Sequence, residues 1–250
     1  MSFQDSVVVV GHRGAAGLAP ENTLPSFRRA WACGVSAVEL DVQLLDGRLV
    51  VIHDERLERT TNGVGAVTDL NLTELRALDA GDGAPIPFLE EVMAELPAGT
   101  GVNVELKGPG TAEPVAELLA DMSRAEVLVS AFDHEELRRF HRRAPEWPVA
   151  PLFHRWRPGV WRTAESFDAW SVNLNQRIAT RYRLAHARRR NLRVLVYTVN
   201  DLEEARRLVS WGATGVFTDY PDRITRQALA PFAADTVVAS DLQPREPEQP

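Results

Sequence analysis

Residues 37–52 determine how many parallel strands the chain can form, and their sequence is Ala-Val-Glu-Leu-Asp-Val-Gln-Leu-Leu-Asp-Gly-Arg-Leu-Val-Val-Ile. The stretch contains two apolar runs, 37–42 and 49–52, separated by only six residues. No crossover helix fits into this gap, because a parallel connection needs about a dozen residues or more. Asp46-Gly47 is instead a strong hairpin signal. We therefore expect the second run to fold back antiparallel to the first.

Seven further apolar runs occur along the chain, at 7–10, 102–106, 127–130, 149–153, 170–174, 194–199 and 215–218. The intervening patterns predict helices over 22–32, 72–78, 89–96, 112–123, 134–143, 177–190, 202–211 and 222–229. Without the returning arm, eight strands remain in βα alternation, which predicts a parallel sheet. Eight such strands in 250 residues predict an α/β fold, a (β/α)₈ barrel. A doubly wound open sheet is the alternative.

The chain is predicted to form one barrel domain over residues 1–231. Residues 54–87 form a small polar insertion after the second strand and its hairpin arm, with turn signals at 62–63 and 81–83. The segment 232–250 is rich in Pro and Glu, and this composition predicts a flexible tail.

The bulk composition narrows the classes of partner. The net charge of −7 argues against nucleic acid, which requires a positive surface. No apolar stretch approaches the roughly 20 residues needed to cross a bilayer, so no membrane span is expected. Cys33 is the single cysteine and cannot form an internal disulfide, which fits a cytoplasmic protein. The sequence gives no indication of the oligomeric state.

Charged residues interrupt two of the predicted strands. Glu39 and Asp41 are two positions apart, as are Glu105 and Lys107, so each pair projects from one face of its strand. Both faces of a barrel strand are buried, and a buried carboxylate needs compensation. Three carboxylates near strand ends suit a hard divalent cation such as Mg²⁺ or Ca²⁺. An internal salt-bridge network centred on Glu105 and Lys107 is the alternative interpretation.

Two histidines follow predicted strands. His12 and Arg13 come directly after the first strand, where barrel active sites lie, and Arg13 can bind a phosphate through paired hydrogen bonds. His53 ends the returning arm at the same mouth. Such a pair beside a metal predicts acid–base cleavage of a phosphodiester; we assign the base to His12 and the acid to His53. Surface or capping roles are expected for the remaining histidines, which are His134, His141, His154 and His186.

Seven motifs lie in order along residues 7–225: Gly-His-Arg-Gly (11–14), Pro-Glu-Asn-Thr (20–23), Glu-Leu-Asp-Val (39–42), Val-Val-Ile-His-Asp (50–54), Thr-Thr-Asn-Gly (60–63), Glu-Leu-Lys (105–107) and Thr-Asp-Tyr-Pro (218–221). Together they resemble the glycerophosphodiester phosphodiesterase family in its bacterial, cytoplasmic form. The resemblance implies a barrel with Glu39, Asp41 and Glu105 as metal ligands. It implies His12 and His53 as the acid–base pair.

The resemblance also implies residues that contact the substrate. Arg13 and Lys107 would hold the phosphate or the glycerol side. Lys107 is the single lysine among 28 lysines and arginines. A chain that otherwise uses arginine keeps an ammonium group here, which agrees with a role that a guanidinium cannot fill. Tyr197 stands where the family often has Trp, so we expect it to contact the glycerol in an altered way. Residues 145–175 resemble the family only loosely, which leaves head-group specificity open.

The implied reaction is metal-dependent hydrolysis of glycerophosphodiesters to glycerol phosphate and an alcohol such as choline or ethanolamine. One alternative is a phosphodiesterase resembling lysophospholipase D, which acts on larger lipids and needs an apolar groove or a membrane-facing patch. Another is a barrel that binds phosphorylated ligands without catalysis. Such a barrel is expected to lack one of the two histidines or three carboxylates, and all five are present.

Overall fold

The computed structural model of the chain describes residue 3, residues 5–120, residue 122 and residues 126–234. Within them, nine strands form one sheet: β1 (Val8–Gly11), β2 (Ala37–Leu45), β3 (Arg48–Val51), β4 (Gly101–Leu106), β5 (Glu126–Ala131), β6 (Val149–Phe153), β7 (Val172–Asn175), β8 (Val194–Tyr197) and β9 (Gly215–Thr218). The strand order is β1-β9-β8-β7-β6-β5-β4-β2-β3, and β1 also pairs with β2. This pairing closes eight parallel strands into a barrel, which confirms the predicted (β/α)₈ fold.

The hairpin arm is formed as predicted. Strand β3 pairs antiparallel with β2, and the register places Val42 opposite Val51 and Leu45 opposite Arg48. Asp46 and Gly47 both have positive φ angles, 47° and 75°. Two consecutive residues of this kind form the turn whose twist matches that of the flanking strands.

Nine helices are found in the same part of the chain: α1 (Leu24–Ala32), α2 (Leu72–Arg76), α3 (Leu89–Glu95), α4 (Ala112–Ala120), α5 (His134–Arg143), α6 (Val160–Ser166), α7 (Arg181–Arg189), α8 (Leu202–Ser210) and α9 (Arg226–Ala234). Thr23, Asp133 and Asp201 cap α1, α5 and α8, because each side chain accepts a hydrogen bond from a backbone N–H of the first turn.

Several helices differ in their bounds from the sequence-based prediction, and one was not predicted. Helix α7 starts at Arg181 and not at 177, because residues 176–178 form a separate 3₁₀ turn and Thr180 caps the helix. Helix α6 was not predicted; it has only seven residues and follows Pro158-Gly159, which interrupts any helical pattern. Helix α9 spans Arg226–Ala234 and not 222–229, so residues 232–234 are helical, whereas the prediction placed them in the tail. Residues 235–250 lie outside the described part.

Successive side chains of the strands point alternately outward and inward, and they form two separate apolar clusters. Leu40 and Leu106 belong to the large cluster packed between the strands and the helices. Val10, Leu195 and Phe217 belong to a smaller cluster inside the barrel. Neighbouring residues of one strand point to opposite faces. Glu39, Asp41 and Glu105 therefore project into the barrel interior, as their spacing predicts.

The insertion has a small core of its own. Val50 and Ile52 at the hairpin arm pack with Leu57, Leu75 and Ile86 of the insertion. This cluster fixes the arm and thereby positions the residues that follow β3. None of the helices seen in the described residues has the length and apolar character needed to traverse a bilayer.

Candidate active site

Three carboxylates converge inside the carboxyl-terminal mouth of the barrel. Glu39 and Asp41 lie on β2, Glu105 lies on the neighbouring β4, and Asp41 is directly paired with Glu105 in the sheet register. Each residue offers a carboxylate oxygen, and these atoms lie within 4.8 Å of one another. The three residues are 3%, 1% and 8% exposed. Water therefore cannot compensate their charges.

The electrostatics of this cluster favour a bound cation. Burial, with the charges of Asp41 and Glu105, raises the pKa of Glu39 well above its ordinary value. Burial, with the charge of Asp41, raises the pKa of Glu105 to about 7. Lys107 Nζ lies 3.1 Å from Glu105 and 4.0 Å from Asp41, so part of the alternative salt-bridge network exists. Three acids with oxygen donors nevertheless fit a hard divalent ion.

Arg13 is held against this cluster by a tight turn after β1. Its φ angle is 50°, and that of Gly14 is 84°. A Cβ atom at Gly14 would lie 2.5 Å from Ser26 Oγ, so the turn requires glycine. The backbone N–H of Arg13 donates to Glu39 Oε2 at 2.8 Å, and its Nε lies 3.3 Å from Asp41 Oδ2. The turn therefore places a guanidinium at the carboxylate cluster.

Asn22 completes the surroundings of Asp41. Its side-chain amide donates to Asp41 Oδ2 at 2.9 Å, and its φ angle of 57° turns the chain towards β2 just before α1. This position was predicted to belong to the helix. Its left-handed backbone instead lets the side chain act as an orienting partner of a buried carboxylate.

His12 is paired with a carboxylate from the far end of the chain. Its Nδ1 lies 2.7 Å from Asp219 Oδ1, and Asn200 donates to Asp219 Oδ2 at 2.6 Å. Burial acts to raise the pKa of Asp219, but the hydrogen bonds from His12 and Asn200 keep it below its ordinary value. An ionised Asp219 accepts the Nδ1–H of His12, which leaves Nε2 as the basic nitrogen.

His53 is also paired with a carboxylate, and its second nitrogen faces an ammonium. Its Nδ1 lies 2.5 Å from Asp54 Oδ1, and its Nε2 lies 3.2 Å from Lys107 Nζ. Burial lowers the pKa of His53. Burial acts to lower the pKa of Lys107 as well, but the charges of Glu105 and Asp41 raise it above its ordinary value. A neutral His53 thus accepts a hydrogen bond from Lys107.

An outer ion-pair network connects the two halves of the site. Arg59 donates to both oxygens of Glu21 at 2.7 and 2.8 Å and to Asp54 at 2.5 Å. Glu21 in turn accepts from Arg13 at 2.7 Å. Arg59 therefore bridges the carboxylate that holds Arg13 and the carboxylate that holds His53.

The cavity at this mouth has a volume of about 400 Å³ and is lined by His12, Arg13, Glu39, His53 and Glu105, among others. Tyr197 lines it from β8, and its ring meets Phe132 edge to face with centroids 5.8 Å apart. Burial raises the pKa of the Tyr197 phenol. All eight residues singled out from the sequence are thus gathered at one end of the barrel.

The chain matches known proteins over nearly its whole length. The model of the glycerophosphoryl diester phosphodiesterase family matches residues 12–223. The chain belongs to this family. A glycerophosphodiester phosphodiesterase of Bacillus altitudinis is 35% identical over 240 residues, which cover 87% of this chain and 96% of the relative. One of Bacillus subtilis (strain 168) is 32% identical over 249 residues, covering 87% and 85%.

The family is also represented among solved structures that resemble the chain. An Oleispira antarctica phosphodiesterase, solved in complex with the product sn-glycerol-3-phosphate, superimposes with a TM-score of 0.82 at 31% identity. The match covers 89% of this chain and 96% of that one. The barrel is therefore the fold of other members of the family.

Several residues of the site were missed by sequence reasoning. Glu21, Asn22 and Asp219 lie inside two of the quoted motifs, 20–23 and 218–221, but no role was given to them. Their positions within those motifs were the available signal. Arg59 lies in the insertion among other charged residues, and no pattern distinguishes it. Its role depends on tertiary contacts alone.

Proposed function

We propose that the chain hydrolyses glycerophosphodiesters to glycerol phosphate and an alcohol, with a divalent metal and two-histidine acid–base catalysis. One observation carries the proposal: three buried carboxylates and two carboxylate-backed imidazoles line or adjoin one cavity, with Arg13 and Lys107 between them. Phosphodiester cleavage needs charge neutralisation together with a proton acceptor and a proton donor. The family match supports the same substrate class.

Glu39, Asp41 and Glu105 would hold the metal, which we propose to be Mg²⁺ or Ca²⁺ because every donor is an oxygen. When bound, such an ion neutralises phosphate charge and lowers the pKa of the attacking hydroxyl. Asn22 keeps Asp41 oriented through its 2.9 Å hydrogen bond. Partners of this kind fix the geometry of metal ligands.

His12 is proposed as the general base. Its contact with Asp219 leaves Nε2 free to accept the proton of the attacking hydroxyl. Asp219 then stabilises the imidazolium that forms, because an ionised carboxylate remains 2.7 Å from Nδ1.

His53 is proposed as the general acid. The ammonium of Lys107 lies 3.2 Å from its Nε2, so this nitrogen can carry a proton only after the ammonium turns away. The phosphate supplies a reason for that movement, since it attracts Lys107 and its negative charge favours a protonated His53. Asp54 at Nδ1 stabilises the imidazolium.

Arg13, Lys107 and Tyr197 are proposed to contact the substrate. Arg13 reaches the cavity with a guanidinium suited to phosphate oxygens. Tyr197 presents a ring that suits the carbon face of glycerol. The partner is accordingly a small diester. The single thiol, Cys33, is free, which supports the proposed cytoplasmic location.

The test is the identity of the products. Glycerophosphoethanolamine is incubated with the protein and Mg²⁺ or Ca²⁺ in H₂¹⁸O, and the phosphate monoester is analysed by mass spectrometry. We expect glycerol phosphate and free ethanolamine. Release of phosphoethanolamine, or no cleavage with either metal, would contradict the proposal. Lysophosphatidylethanolamine in a parallel reaction tests the lipid-hydrolysing alternative, which predicts faster cleavage of the lysolipid.

A further inference from the structure

The charge of the molecule is unevenly distributed around the mouth of the barrel. The loops that follow β6 and β7, residues 154–159 and 176–180, contain three arginines and no acid, whereas the whole chain carries a net charge of −7. In the closed barrel, β6 lies four strands from β1, and β7 lies four strands from β2. These basic loops therefore face the catalytic side across the cavity.

Two residues of these basic loops lie at the cavity itself. His154 and Arg177 line the cavity together with Glu39 and Glu105. Among the described residues lining the cavity, carboxylates are confined to the proposed metal ligands. The wall formed by the loops after β6 and β7, called here the β6–β7 wall, is thus positive.

Arg177 is held in position by its backbone while its guanidinium remains accessible. Its N–H donates to Asn175 Oδ1 at 3.0 Å within the 3₁₀ turn 176–178. Arg183 of α7 donates to Ile178 O at 3.0 Å, and its guanidinium lies 4.0 Å from the ring centroid of Trp156. Within the described chain, no carboxylate forms an ion pair with Arg177, whose side chain is exposed. A cation of this kind is available to a ligand.

The aromatic residues of the cavity do not form an open cage for a quaternary ammonium. Lys107 Nζ already lies 5.6 Å from the ring centroid of Phe132. Phe132 and Phe217 each meet Tyr197 edge to face, at interplanar angles of 85° and 89°. Choline is recognised by ring faces that surround it, and a neighbouring arginine repels it.

We propose that the β6–β7 wall is a head-group subsite and that it selects diesters whose alcohol carries a negative charge, such as a phosphorylated polyol, over those of choline. The inference rests on the proposed function, which places the scissile phosphate at the carboxylates. One substituent of that phosphate then extends across the cavity to this wall. Arg177 pairs with its anionic group, and His154 donates a further hydrogen bond.

The experiment compares kcat/KM for three substrates: glycerophosphoinositol 4-phosphate, glycerophosphoinositol and glycerophosphocholine. The first two differ only in one phosphate group. We expect the wild-type protein to prefer the first over glycerophosphocholine by about tenfold or more, and R177Q to reduce this preference by about tenfold, because a charge-assisted hydrogen bond is lost. R189Q is the matched control. It removes the same charge from the last turn of α7, away from the mouth, and should leave the ratio unchanged.

Two outcomes would overturn the inference while leaving the proposed function intact. One is a wild-type preference for glycerophosphocholine. The other is an R177Q variant that loses the same factor on all three substrates, or on none, since Arg177 would then contact the shared part of the diester or no substrate. Melting temperatures of R177Q and R189Q equal to that of the wild type exclude a folding defect. No cleavage of any of the three substrates would overturn the proposed function, and the inference with it.

Discussion

The Nδ1 atom of His12 lies 2.7 Å from Oδ1 of Asp219, although the two residues are 207 positions apart in the chain. The contact connects the end of β1 with the end of β9, which are neighbours only because the barrel is closed. Asn200 occupies the other oxygen of Asp219. The geometry of the proposed base therefore depends on barrel closure, and a catalytic effect of Asp219 is expected although it does not touch the scissile bond.

Asp219→Asn is predicted to lower kcat on glycerophosphoethanolamine by about 10² or more, with a smaller change in KM. An amide at this position no longer stabilises the imidazolium and can donate to Nδ1, which favours the wrong tautomer. Steady-state kinetics measures the effect. Asp222→Asn changes an exposed acid three positions away and serves as control. Equal kinetics of the two variants would show that Asp219 has no catalytic role.

The division of roles between the two histidines predicts a dependence on the leaving group. His53→Ala should lose about 10²–10⁴ of the rate on glycerophosphocholine, because the alkoxide needs a proton to depart. It should lose far less on a p-nitrophenyl phosphodiester, whose phenolate departs without one. His12→Ala should be slow on both substrates, since the base is needed whichever group leaves.

The same comparison can reverse or remove the assignment. If His12→Ala, and not His53→Ala, loses far less rate on the p-nitrophenyl substrate than on glycerophosphocholine, then His12 is the acid and His53 is the base. If neither variant is rescued, the imidazoles act by positioning or electrostatics, and the acid–base mechanism is wrong.

Metal removal should lower stability as well as activity. A ligand that binds only the folded state stabilises it by about 2.7 kcal/mol at 100 times its Kd. We expect the melting temperature to fall on chelation and to recover with Mg²⁺ or Ca²⁺. Glu39→Gln removes a carboxyl whose ionisation is opposed by burial and by the charges of Asp41 and Glu105, so it should melt higher than the metal-free wild type and respond less to metal. An unchanged melting temperature of the wild type with and without metal would argue against this site.

The fold was predictable because two simple patterns agreed. The Asp46-Gly47 turn showed that β3 runs antiparallel, so that eight parallel strands remain. The spacing of Glu39 and Asp41 placed both carboxylates on the face of β2 that points into the barrel. Helix ends were less predictable, since they depend on single contacts. Asn22 lies outside α1, and its side chain donates a hydrogen bond to Asp41. Thr180 caps α7, which begins at Arg181 after a separate 3₁₀ turn.

The site residues were predictable only from their residue type and from the alternation of side chains between the two faces of a strand. His12, Glu39 and Glu105 follow or interrupt apolar strands, so their chemistry is visible along the chain. The contacts of Asp219 and Arg59 join segments far apart in sequence. A pattern within one segment cannot reveal such a pair, because it depends on the closure of the barrel and the packing of the insertion.

Arg59 should contribute to the acid sensitivity of the fold. Burial acts to raise the pKa of Glu21, but hydrogen bonds from Arg59 and Arg13 lower it; a hydrogen bond from Arg59 also lowers that of Asp54. Carboxyls with depressed pKa values stabilise the folded state above their unfolded pKa values of about 4. This stabilisation is lost as the pH falls through the lower pKa values that the two carboxyls have in the folded protein.

Arg59→Gln should therefore reduce stability at pH 7 and lose less stability on acidification than the wild type. Urea unfolding between pH 7 and pH 3 measures both effects. Arg190→Gln removes an exposed ion pair with Glu165 and should follow the wild-type profile. An Arg59→Gln profile parallel to the wild type would show that this network does not hold the two carboxyls.

The proposed mechanism requires that Glu39, Asp41 and Glu105 bind the ion that makes phosphodiester hydrolysis possible. The most direct test is glycerol phosphate release by metal-free protein during titration with Mg²⁺ or Ca²⁺, compared with Asp41→Asn. We predict no turnover without metal, saturable recovery in the wild type, and recovery in Asp41→Asn only at much higher metal concentration or not at all. Full wild-type turnover in excess EDTA, with metal removal verified by elemental analysis, would contradict the claim.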